Sequence, residues 1–496
     1  MWRKIKELFF RNRTTRQTVA KNAFWLTVSN VGGRLLRAVI IIYAARILGA
    51  SEWGIFSYAI SLVAFLTIFT DAGISPILVR ETAKLREKTE EQSFLLSSSF
   101  ILKSAFLTLG ILIILLVVPH FNIEDSVKAI LPLAVAILIF DNFREFGFSL
   151  IRAREKMELE AGLFLLTNMA VVVFGFLFLY YSKTVSAFTY AYALGTGVGM
   201  VVTSFVLRRY LSGILSKFRW STVKYIMSSG WPFAISAVLA VLLVDTDVLL
   251  LGWLRSTEEV GLYSAAIRIV QILYLLPSIL STSLLPAFAR LAGKDNEKLR
   301  LGLEQVLGLV YLIAIPMAIG GIVLAKEIID LVFGSGYAAA VLPFRILILT
   351  ILISFPAVIL SSVIFTYDKQ RQIIKYAAIG GLSNVILDLI FIPKFGMAGS
   401  AVVTLVAQLL ANIYLWRVAK TLVPFQVLPH LQKAIGASAI LAIFVLVLKV
   451  ASMPVLVTIG VSIPVYFSTL HFLREPILNE VKLILRLVKD TQPTSS

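Results

Sequence analysis

The first long hydrophobic segment carries a stripe of polar and small side chains. When residues 20–48 are written as a helix, these side chains recur at the helical period and share one face. They are Asn22, Ser29, Asn30, Gly33, Arg34 and Arg37. An arginine at membrane depth costs about 2.5–3.5 kcal/mol on insertion scales, so it is tolerated mainly where it faces a charged partner or a water-filled cavity. The stripe therefore predicts that this helix lines a polar interior built by other helices.

The composition indicates that the rest of the chain supplies those other helices. Of the 496 residues, 58% are hydrophobic and 15% are charged, and the mean hydropathy is +0.89. Soluble globular domains have about 45–50% apolar and about 25% charged residues, so the chain is predicted to be an all-α polytopic membrane protein. Cysteine is absent, which excludes disulfides, thiolate metal sites and cysteine nucleophiles. His120, His430 and His471 lie far apart near predicted helix ends, so no metal site is expected.

Short polar breaks separate the hydrophobic runs into about 14 transmembrane helices. Lys and Arg concentrate in the segments on the N-terminal side of the membrane, whereas each turn on the opposite side holds a single basic residue. This bias predicts that both termini are cytoplasmic in a cell membrane protein. The formal net charge of +18 is therefore attributed to membrane topology and contact with anionic lipids, and no nucleic-acid partner is expected.

The predicted helices group into two pseudo-symmetric six-helix lobes followed by two C-terminal helices. The boundaries are a cytoplasmic interfacial N-terminus at 1–19, an N-lobe at 20–207, a cytoplasmic amphipathic linker at 208–224, a C-lobe at 225–417, a helical hairpin at 418–474 and a cytoplasmic amphipathic tail at 475–496. In the linker, Leu211, Ile214, Leu215 and Phe218 recur at helical spacing. This pattern predicts a helix that lies on the membrane surface.

An internal repeat supports the two-lobe arrangement. SEWGIFSYAI (51–60) is similar to EEVGLYSAAI (258–267) at a constant offset of 207 residues, and each stretch opens the second helix of its lobe. The matched pairs are Glu52 and Glu259, Gly54 and Gly261, Phe56 and Tyr263, and Ser57 and Ser264. In transporters built from repeats, the substrate site lies between the repeats near the middle of the membrane, and the same is expected here.

Two stretches resemble a known family. Residues 22–84, which begin NAFWLTVSNVGGRLLRAVIIIYAARILGASEWG, resemble the start of polysaccharide-biosynthesis flippases, the O-antigen (repeat-unit) exporters of the multidrug/oligosaccharidyl-lipid/polysaccharide superfamily. Residues 245–293, which begin DTDVLLLGWLRSTEEVGLYSAAIRIV, resemble the start of that family's second half. The resemblance implies flipping of a polyprenyl-(pyro)phosphate-linked oligosaccharide from the cytoplasmic to the outer leaflet by alternating access. The chain does not closely resemble the lipid II flippase branch.

Intramembrane arginines are the candidate ligands for the phosphate groups of such a substrate. A guanidinium binds phosphate through two hydrogen bonds and stays charged at any working pH. The candidates are Arg34, Arg37, Arg268 and Arg345, with Asn22, Ser29 and Asn30 as candidate ligands for sugar hydroxyls. A structural role for Arg268 stays open, because it lies at a depth similar to that of Asp245 and Asp247 in an antiparallel hairpin and could pair with either.

Other charges inside the predicted spans are interpreted as structural or solvated. Asp141, Arg144 and Glu145 are spaced to form an ion pair along one helix. Asp71 and Asp388 lie near the ends of predicted spans, where solvent-exposed positions are expected.

The chain must take its energy from a gradient. It has no G-x-x-x-x-G-K-S/T loop for phosphate, and no cytoplasmic segment is large enough for a nucleotide-binding domain. A buried carboxylate whose affinity for H⁺ or Na⁺ changes with conformation could couple transport, and Asp245 and Asp247 are the candidates. The membrane potential is the alternative, since it supplies about 2.3 kcal/mol per charge at 100 mV. No cofactor other than such an ion is expected.

The sequence thus favours a secondary transporter over an enzyme. Its expected partners are the lipid-linked oligosaccharide and membrane lipids, with a downstream polysaccharide polymerase or ligase as a further candidate. A cation-coupled multidrug antiporter of the same superfamily is the alternative, but such a protein favours an acidic, aromatic cavity and the charges of the first helix here are basic. A membrane polymerase or ligase would need a sizeable outward loop, and a membrane scaffold would not need the polar stripe.

Overall fold

The computed structural model describes residues 15–85, 89–121 and 123–473, and every regular element in these ranges is helical. This confirms the all-α prediction. Twelve helical segments of the described chain are long and apolar enough to cross a membrane. Two of them, Phe24–Asp71 and Gln370–Leu422, are far longer than the roughly 20 residues that a bilayer core requires, and each contains a glycine with non-helical backbone angles. The count of fourteen spans stays a prediction.

The described helices form two compact units. The first covers the described chain up to Val241 together with Val248–Gly261, and the second covers Leu242–Asp247 and the described chain from Leu262 onward. In chain order the helices are Thr15–Asp71 (α1), Ile74–Lys84 (α2), Thr89–Leu112 (α3), Asp125–Ala153 (α4), Met157–Tyr181 (α5), Val185–Val206 (α6), Arg208–Leu211 (α7), Trp220–Val244 (α8), Thr246–Leu254 (α9), Thr257–Leu273 (α10), Leu275–Leu291 (α11), Asn296–Val323 (α12), Ala325–Val332 (α13), Val341–Leu347 (α14), Ile351–Thr366 (α15), Gln370–Leu422 (α16), Leu428–Val450 (α17) and Val455–Phe472 (α18).

The core of the first unit lies where the short helix α2 packs against α3 and α4. Ile74, Ile77 and Leu78 of α2 recur at helical spacing and are completely buried, because one face of this helix is apolar. They belong to the same hydrophobic cluster as Leu95 of α3 and Phe148 of α4. A short helix that cannot cross a bilayer is thus anchored by its apolar face.

The two matched segments of the repeat touch each other within the first unit. A Cβ added to Gly54 would lie 1.6 Å from the carbonyl oxygen of Thr257, and one added to Gly261 would lie 1.8 Å from the carbonyl oxygen of Ala50. Ala50 and Thr257 are themselves related by the 207-residue offset, so the contact is reciprocal. It requires glycine on both sides, because backbone atoms fill the space that a side chain would occupy.

The last two helices pack into the second unit. Leu441 and Val445 of α17 and Tyr466 of α18 form a buried cluster with Leu312 of α12. The Tyr466 hydroxyl donates a hydrogen bond to the Leu312 backbone oxygen at 2.9 Å, which satisfies a polar group that would be costly to leave unpaired inside a membrane protein. The C-terminal hairpin therefore shares the core of the second unit.

The linker does not form the predicted surface helix. Only Arg208–Leu211 is helical, and turns follow until α8 begins at Trp220. Gly213 has a φ of 74°, a left-handed conformation that ends the helix. Phe218 stays exposed, as expected of a membrane-surface segment, whereas Ile214 packs against the hydrophobic core of the first unit.

The lobe boundaries stay a prediction. The sequence assigns residues 225–417 to the C-lobe, and the compact units place α8 up to Val241 and Val248–Gly261 in the first unit. The predicted interfacial N-terminus is described only from Thr15, where α1 already begins, and residues 1–14 and the tail at 475–496 lie outside the described residues.

Candidate functional site

The predicted span at residues 225–253 is interrupted at Asp245. Helix α8 ends at Val244 and α9 begins at Thr246, so Asp245 forms a one-residue turn between them. The Thr246 hydroxyl donates to the Leu242 carbonyl oxygen at 3.0 Å, which satisfies a backbone acceptor beside the break. Interrupted helices in transporters are tolerated where protein or a cavity satisfies the backbone, and they often mark ion or substrate sites. The break therefore makes the neighbouring carboxylates, Asp245 and Asp247, candidate site residues.

Asp247 is only 3% exposed and accepts hydrogen bonds from three uncharged side chains. Asn384 donates to its Oδ1 atom, while Tyr263 and Thr404 donate to Oδ2, the last at 2.7 Å. All three donors are buried as well. In the described part of the chain, no Lys or Arg forms an ion pair with Asp247, so its polar partners are the dipoles of uncharged side chains.

A second buried carboxylate lies beside the first. Asp388 is completely buried, and the Asn384 amide nitrogen that contacts Asp247 also lies 3.3 Å from Asp388 Oδ2. Within the described residues, Asp388 Oδ1, Asn384 Oδ1 and the Ser400 hydroxyl oxygen are buried without a hydrogen-bond partner. Two neighbouring carboxylates in a low dielectric repel each other when both are ionised. We call Asp247, Tyr263, Asn384, Asp388, Ser400 and Thr404 the Asp247 cluster.

A bend in α16 brings four members of the cluster together. Asn384 and Asp388 are one helical turn apart before the bend, and Ser400 and Thr404 are one turn apart after it. Gly396 makes the bend with a φ of 56°, a conformation that a side chain disfavours. Oxygen-bearing side chains on both arms can therefore converge, as a cation such as Na⁺ requires of its ligands.

The structure separates the two predicted ion-coupling residues. Asp247 belongs to the cluster, whereas Asp245 is half-buried at the helix break. Asp388 was expected to be solvated, and its complete burial shows that this expectation is wrong. The sequence left open a pairing of Arg268 with Asp245 or Asp247. Arg268 Nη1 donates to Gln271 Oε1 at 3.0 Å along α10, whereas Asp247 accepts its hydrogen bonds from uncharged side chains.

The arginines of the predicted stripe have different surroundings. Gly33 allows α1 to approach α5, since an added Cβ would lie 2.2 Å from the Phe164 ring. At this approach Asn168 donates to the Phe164 carbonyl oxygen at 2.7 Å, and its Oδ1 accepts a hydrogen bond from Arg37 Nε at 3.1 Å. The Arg37 guanidinium also lies 5.8 Å from the centroid of the Tyr192 ring. Arg37 is thus oriented within the first unit.

The other candidate arginines are less enclosed. Arg34 is exposed on α1, Arg345 is exposed on α14, and Arg268 is half-buried on α10. Arg34 and Arg37 belong to the first unit, whereas Arg268 and Arg345 belong to the second. Neither unit alone therefore assembles the four predicted phosphate ligands.

The candidate ligands for sugar hydroxyls also differ among themselves. Ser29 is buried, and its hydroxyl donates to the Leu26 carbonyl oxygen of its own helix at 3.0 Å. Asn22 is half-buried, and within the described chain its Oδ1 atom is buried without a hydrogen-bond partner. The side chain of Asn30 lies outside the described residues. Of the two described side chains, Asn22 has the unpaired acceptor.

The remaining intramembrane charges are paired in the first unit. Arg144 lies 2.8 Å from Asp141, which confirms the predicted ion pair, whereas Glu145 pairs with Arg152 at 2.6 Å. Asp71 is not simply solvated, because Lys103 Nζ lies 2.6 Å from its carboxylate. These contacts hold neighbouring helices, or neighbouring turns of one helix, together.

Four members of the Asp247 cluster were not predicted from the sequence. Tyr263, Asn384, Ser400 and Thr404 are uncharged, and uncharged polar residues are common in membrane helices. The signal that could have found three of them is the spacing of Asn384 and Asp388, and of Ser400 and Thr404, at one turn on either side of Gly396.

Comparisons with known proteins agree with this architecture. The family model described as Polysaccharide biosynthesis protein matches residues 19–292, and the MatE family model matches residues 232–390. The putative O-antigen transporter of Shigella flexneri is 23% identical over 338 residues, which cover 64% of this chain and 78% of that protein. The probable low-salt glycan biosynthesis flippase Agl15 of Haloferax volcanii is 24% identical over 387 residues, which cover 78% of this chain and 80% of that protein.

Solved structures share the fold at low sequence identity. The inward closed conformation of the lipid II flippase MurJ has a TM-score of 0.73 and 19% identity, and the match covers 91% of this chain and 99% of that one. An inward-facing multidrug resistance MATE transporter of the MOP superfamily has a TM-score of 0.59 and 16% identity, over 80% of this chain and 94% of that one. Because the first family model spans more than half of the sequence, the chain belongs to the polysaccharide biosynthesis protein family of the multidrug/oligosaccharidyl-lipid/polysaccharide exporter superfamily.

Proposed function

We propose that the chain flips a polyprenyl-(pyro)phosphate-linked oligosaccharide from the cytoplasmic to the outer leaflet of the cell membrane by alternating access. Family membership carries this proposal, because matched relatives are named as an O-antigen transporter and a glycan biosynthesis flippase. The product would serve the assembly of cell-surface polysaccharide or glycan, with a polymerase or ligase acting on it afterwards. Both termini are cytoplasmic in this proposal, as the distribution of Lys and Arg predicts.

The proposed driving ion is Na⁺ or H⁺ bound at the Asp247 cluster. Asp247 lies on α9 and Asp388 on α16, so a cation between their carboxylates would link two elements. Without it, the two carboxylates repel each other in a low dielectric and the packed arrangement is disfavoured. Binding of the ion can therefore shift the balance between conformations, which is what coupling requires.

The proposed ligands for the anionic headgroup are Arg34 and Arg37. Arg37 is oriented by Asn168, and Arg34 is exposed next to it on α1. Guanidinium groups favour a phosphate-bearing substrate and disfavour the cationic solutes of a drug exporter. The multidrug antiporter remains the second candidate, because the MatE match at 232–390 includes both carboxylates of the cluster, Asp247 and Asp388.

Reconstitution into proteoliposomes tests the function. The purified chain is supplied with a fluorescently labelled polyprenyl-diphosphate oligosaccharide, and the fraction of label in each leaflet is followed by quenching from outside. We expect flipping that depends on an imposed Na⁺ or H⁺ gradient. The same vesicles loaded with ethidium distinguish the antiporter: ethidium transport without oligosaccharide flipping would overturn the flippase proposal.

Substitution of the arginines tests the headgroup site. We expect Arg34→Ala and Arg37→Ala to abolish flipping while the amount of folded protein is unchanged, because each removes a phosphate ligand. Arg290→Ala, which removes an exposed arginine of α11, is the matched control. Normal flipping by both α1 variants would remove these residues from the site while leaving the reconstituted activity itself established.

A further inference from the structure

A basic cavity lies at the end of the first unit that the sequence predicts to be cytoplasmic. Its volume is about 400 Å³, and it lies where α4 ends, α5 begins and α6 passes into α7. Four basic residues line it, namely Arg154, Lys156, Arg208 and Arg209. Among the described lining residues none is acidic, and the others are the aromatic residues Phe205 and Tyr210 and aliphatic side chains. The cavity thus combines strong positive charge with an apolar wall.

Aromatic rings hold two of the arginines in place. The Arg154 guanidinium lies 3.7 Å from the centroid of the Tyr210 ring, and Arg154 Nη1 donates to the Leu150 carbonyl oxygen at 3.2 Å. The Arg208 guanidinium lies 4.6 Å from the centroid of the Phe205 ring. For Arg208, stacking against the ring leaves the edge of the guanidinium available for an anion. Lys156, Arg208 and Arg209 form no ion pair with any described residue, so their charge is not neutralised within the unit.

An apolar track leads along α6 to the cavity. Tyr190, Leu194, Val201 and Phe205 are all exposed, and their spacing of four, seven and four residues places them on one face of the helix. An exposed apolar face on a membrane-spanning helix contacts acyl chains. Phe205 ends this face and also lines the cavity, so a lipid tail on the track and a headgroup in the cavity would belong to one molecule.

The residues after the cavity mark the level of the membrane surface. Tyr210, Phe218 and Trp220 are exposed aromatic residues that follow the cavity-lining arginines in sequence. Tyr and Trp concentrate at the boundary between acyl chains and water, because their rings are apolar and their polar atoms stay hydrated. This pattern predicts that the cavity lies at the depth of lipid phosphates.

We propose that this cavity binds the phosphate headgroup of an anionic phospholipid from the cytoplasmic leaflet, with an acyl chain along the α6 track. Arg208 and Arg209 supply the uncompensated charge that would contact the phosphate. This site is separate from the proposed substrate ligands on α1 and does not depend on the identity of the transported lipid.

Native mass spectrometry of the full chain tests the proposal, with phosphatidylglycerol and phosphatidylcholine of identical acyl chains as probes. We expect phosphatidylglycerol to be retained preferentially. The double variant Arg208→Ala, Arg209→Ala should lower its retention at least about fivefold, because lipid binding at a membrane surface depends on each basic side chain. The double variant Arg290→Ala, Lys294→Ala removes two exposed charges of the same predicted side and should retain the lipid.

The other outcomes overturn the proposal. Equal retention of the two phospholipids would show that binding does not depend on the charge of the headgroup. An equal loss in the control variant would show that only total charge matters. Displacement of the lipid by millimolar inorganic phosphate would identify a site for free anions, and exclusion of phosphatidylglycerol by polyprenyl diphosphate would identify a site for the transported lipid. Unchanged gel-filtration profiles of both double variants ensure that the comparison concerns folded protein.

Discussion

Phe56 and Tyr263 occupy matched positions in the two repeats but have different surroundings. Phe56, in the first unit, is buried among aromatic rings, with centroid distances of 4.7 Å to Phe188 and 5.6 Å to Tyr192. Tyr263, in the second unit, is also buried, but its hydroxyl donates to Asp247. The two matched residues thus differ by one hydroxyl group: the phenylalanine lies in an apolar core, and the tyrosine belongs to a polar cluster.

The same contrast holds at the position of Asp247. The repeat offset relates Asp247 to Ile40, which is completely buried. A Cβ added to Gly175 would lie only 2.6 Å from the side chain of Ile40. A buried isoleucine needs only space, whereas a buried carboxylate needs hydrogen-bond donors or a cation. The first unit packs this region, while the second equips it with polar partners, so the repeats have diverged in chemistry on a common helical frame.

Asp247→Asn should have the largest effect on the polar cluster of the second unit, because it keeps the size of the side chain but replaces the carboxyl group with an amide. We expect ion-driven flipping to fall at least about tenfold, which corresponds to about 1.4 kcal/mol. Flipping in proteoliposomes under an imposed Na⁺ or H⁺ gradient measures the effect. Asp125→Asn changes a side chain that is 95% exposed and is the matched control. Retained ion dependence in the Asp247 variant would contradict the cluster's role.

Gly54→Ala and Gly261→Ala test the contact that joins the repeats. Each adds a methyl group within 2 Å of a backbone oxygen, so each should destabilise the protein by about 1–3 kcal/mol, the usual range for overpacking. Thermal unfolding in detergent followed by circular dichroism gives the comparison. Gly162→Ala, which has no neighbouring atom within 4 Å, controls for helix propensity. Unequal effects at Gly54 and Gly261 would argue against a reciprocal contact.

Phe56→Tyr places the hydroxyl of the second repeat into the first. We expect a loss of stability of about 1–3 kcal/mol, because a buried hydroxyl without a partner loses its bonds to water. The lowered unfolding temperature is measured against Phe69→Tyr, an exposed position of the same helix. Wild-type stability of the Phe56 variant would mean that the first unit also offers a polar partner, and the contrast between the units would fail.

Tyr263→Phe should have the smallest effect. Asp247 keeps its hydrogen bonds from Asn384 and Thr404, so the loss of one donor is worth about 0.5–1.5 kcal/mol. The expected result is a few-fold change in the cation concentration that gives half-maximal flipping, with the maximal rate retained. Tyr311→Phe, in α12 outside the cluster, provides the comparison. The same change in both variants would indicate a general loss of stability.

The sequence predicted the helical architecture better than the site. Hydrophobic runs set the order of the helices, and Asp247 was found because a carboxylate in an apolar run is conspicuous. Its partners Asn384 and Thr404 lie 137 and 157 residues away, so only the folded chain brings them together. Asp388 was misjudged because the predicted span ended shortly after it, whereas the helix bends at Gly396 and continues to Leu422.

The contact between Gly54 and Gly261 has a consequence for mutational repair. When two side chains collide, a second substitution can shorten one of them and relieve the strain. Here the groups that would be struck are carbonyl oxygens, which every amino acid carries, so no substitution on the opposite side can create room. A search for suppressors of a bulky residue at either position should therefore return glycine itself and no compensating change at the opposing residues.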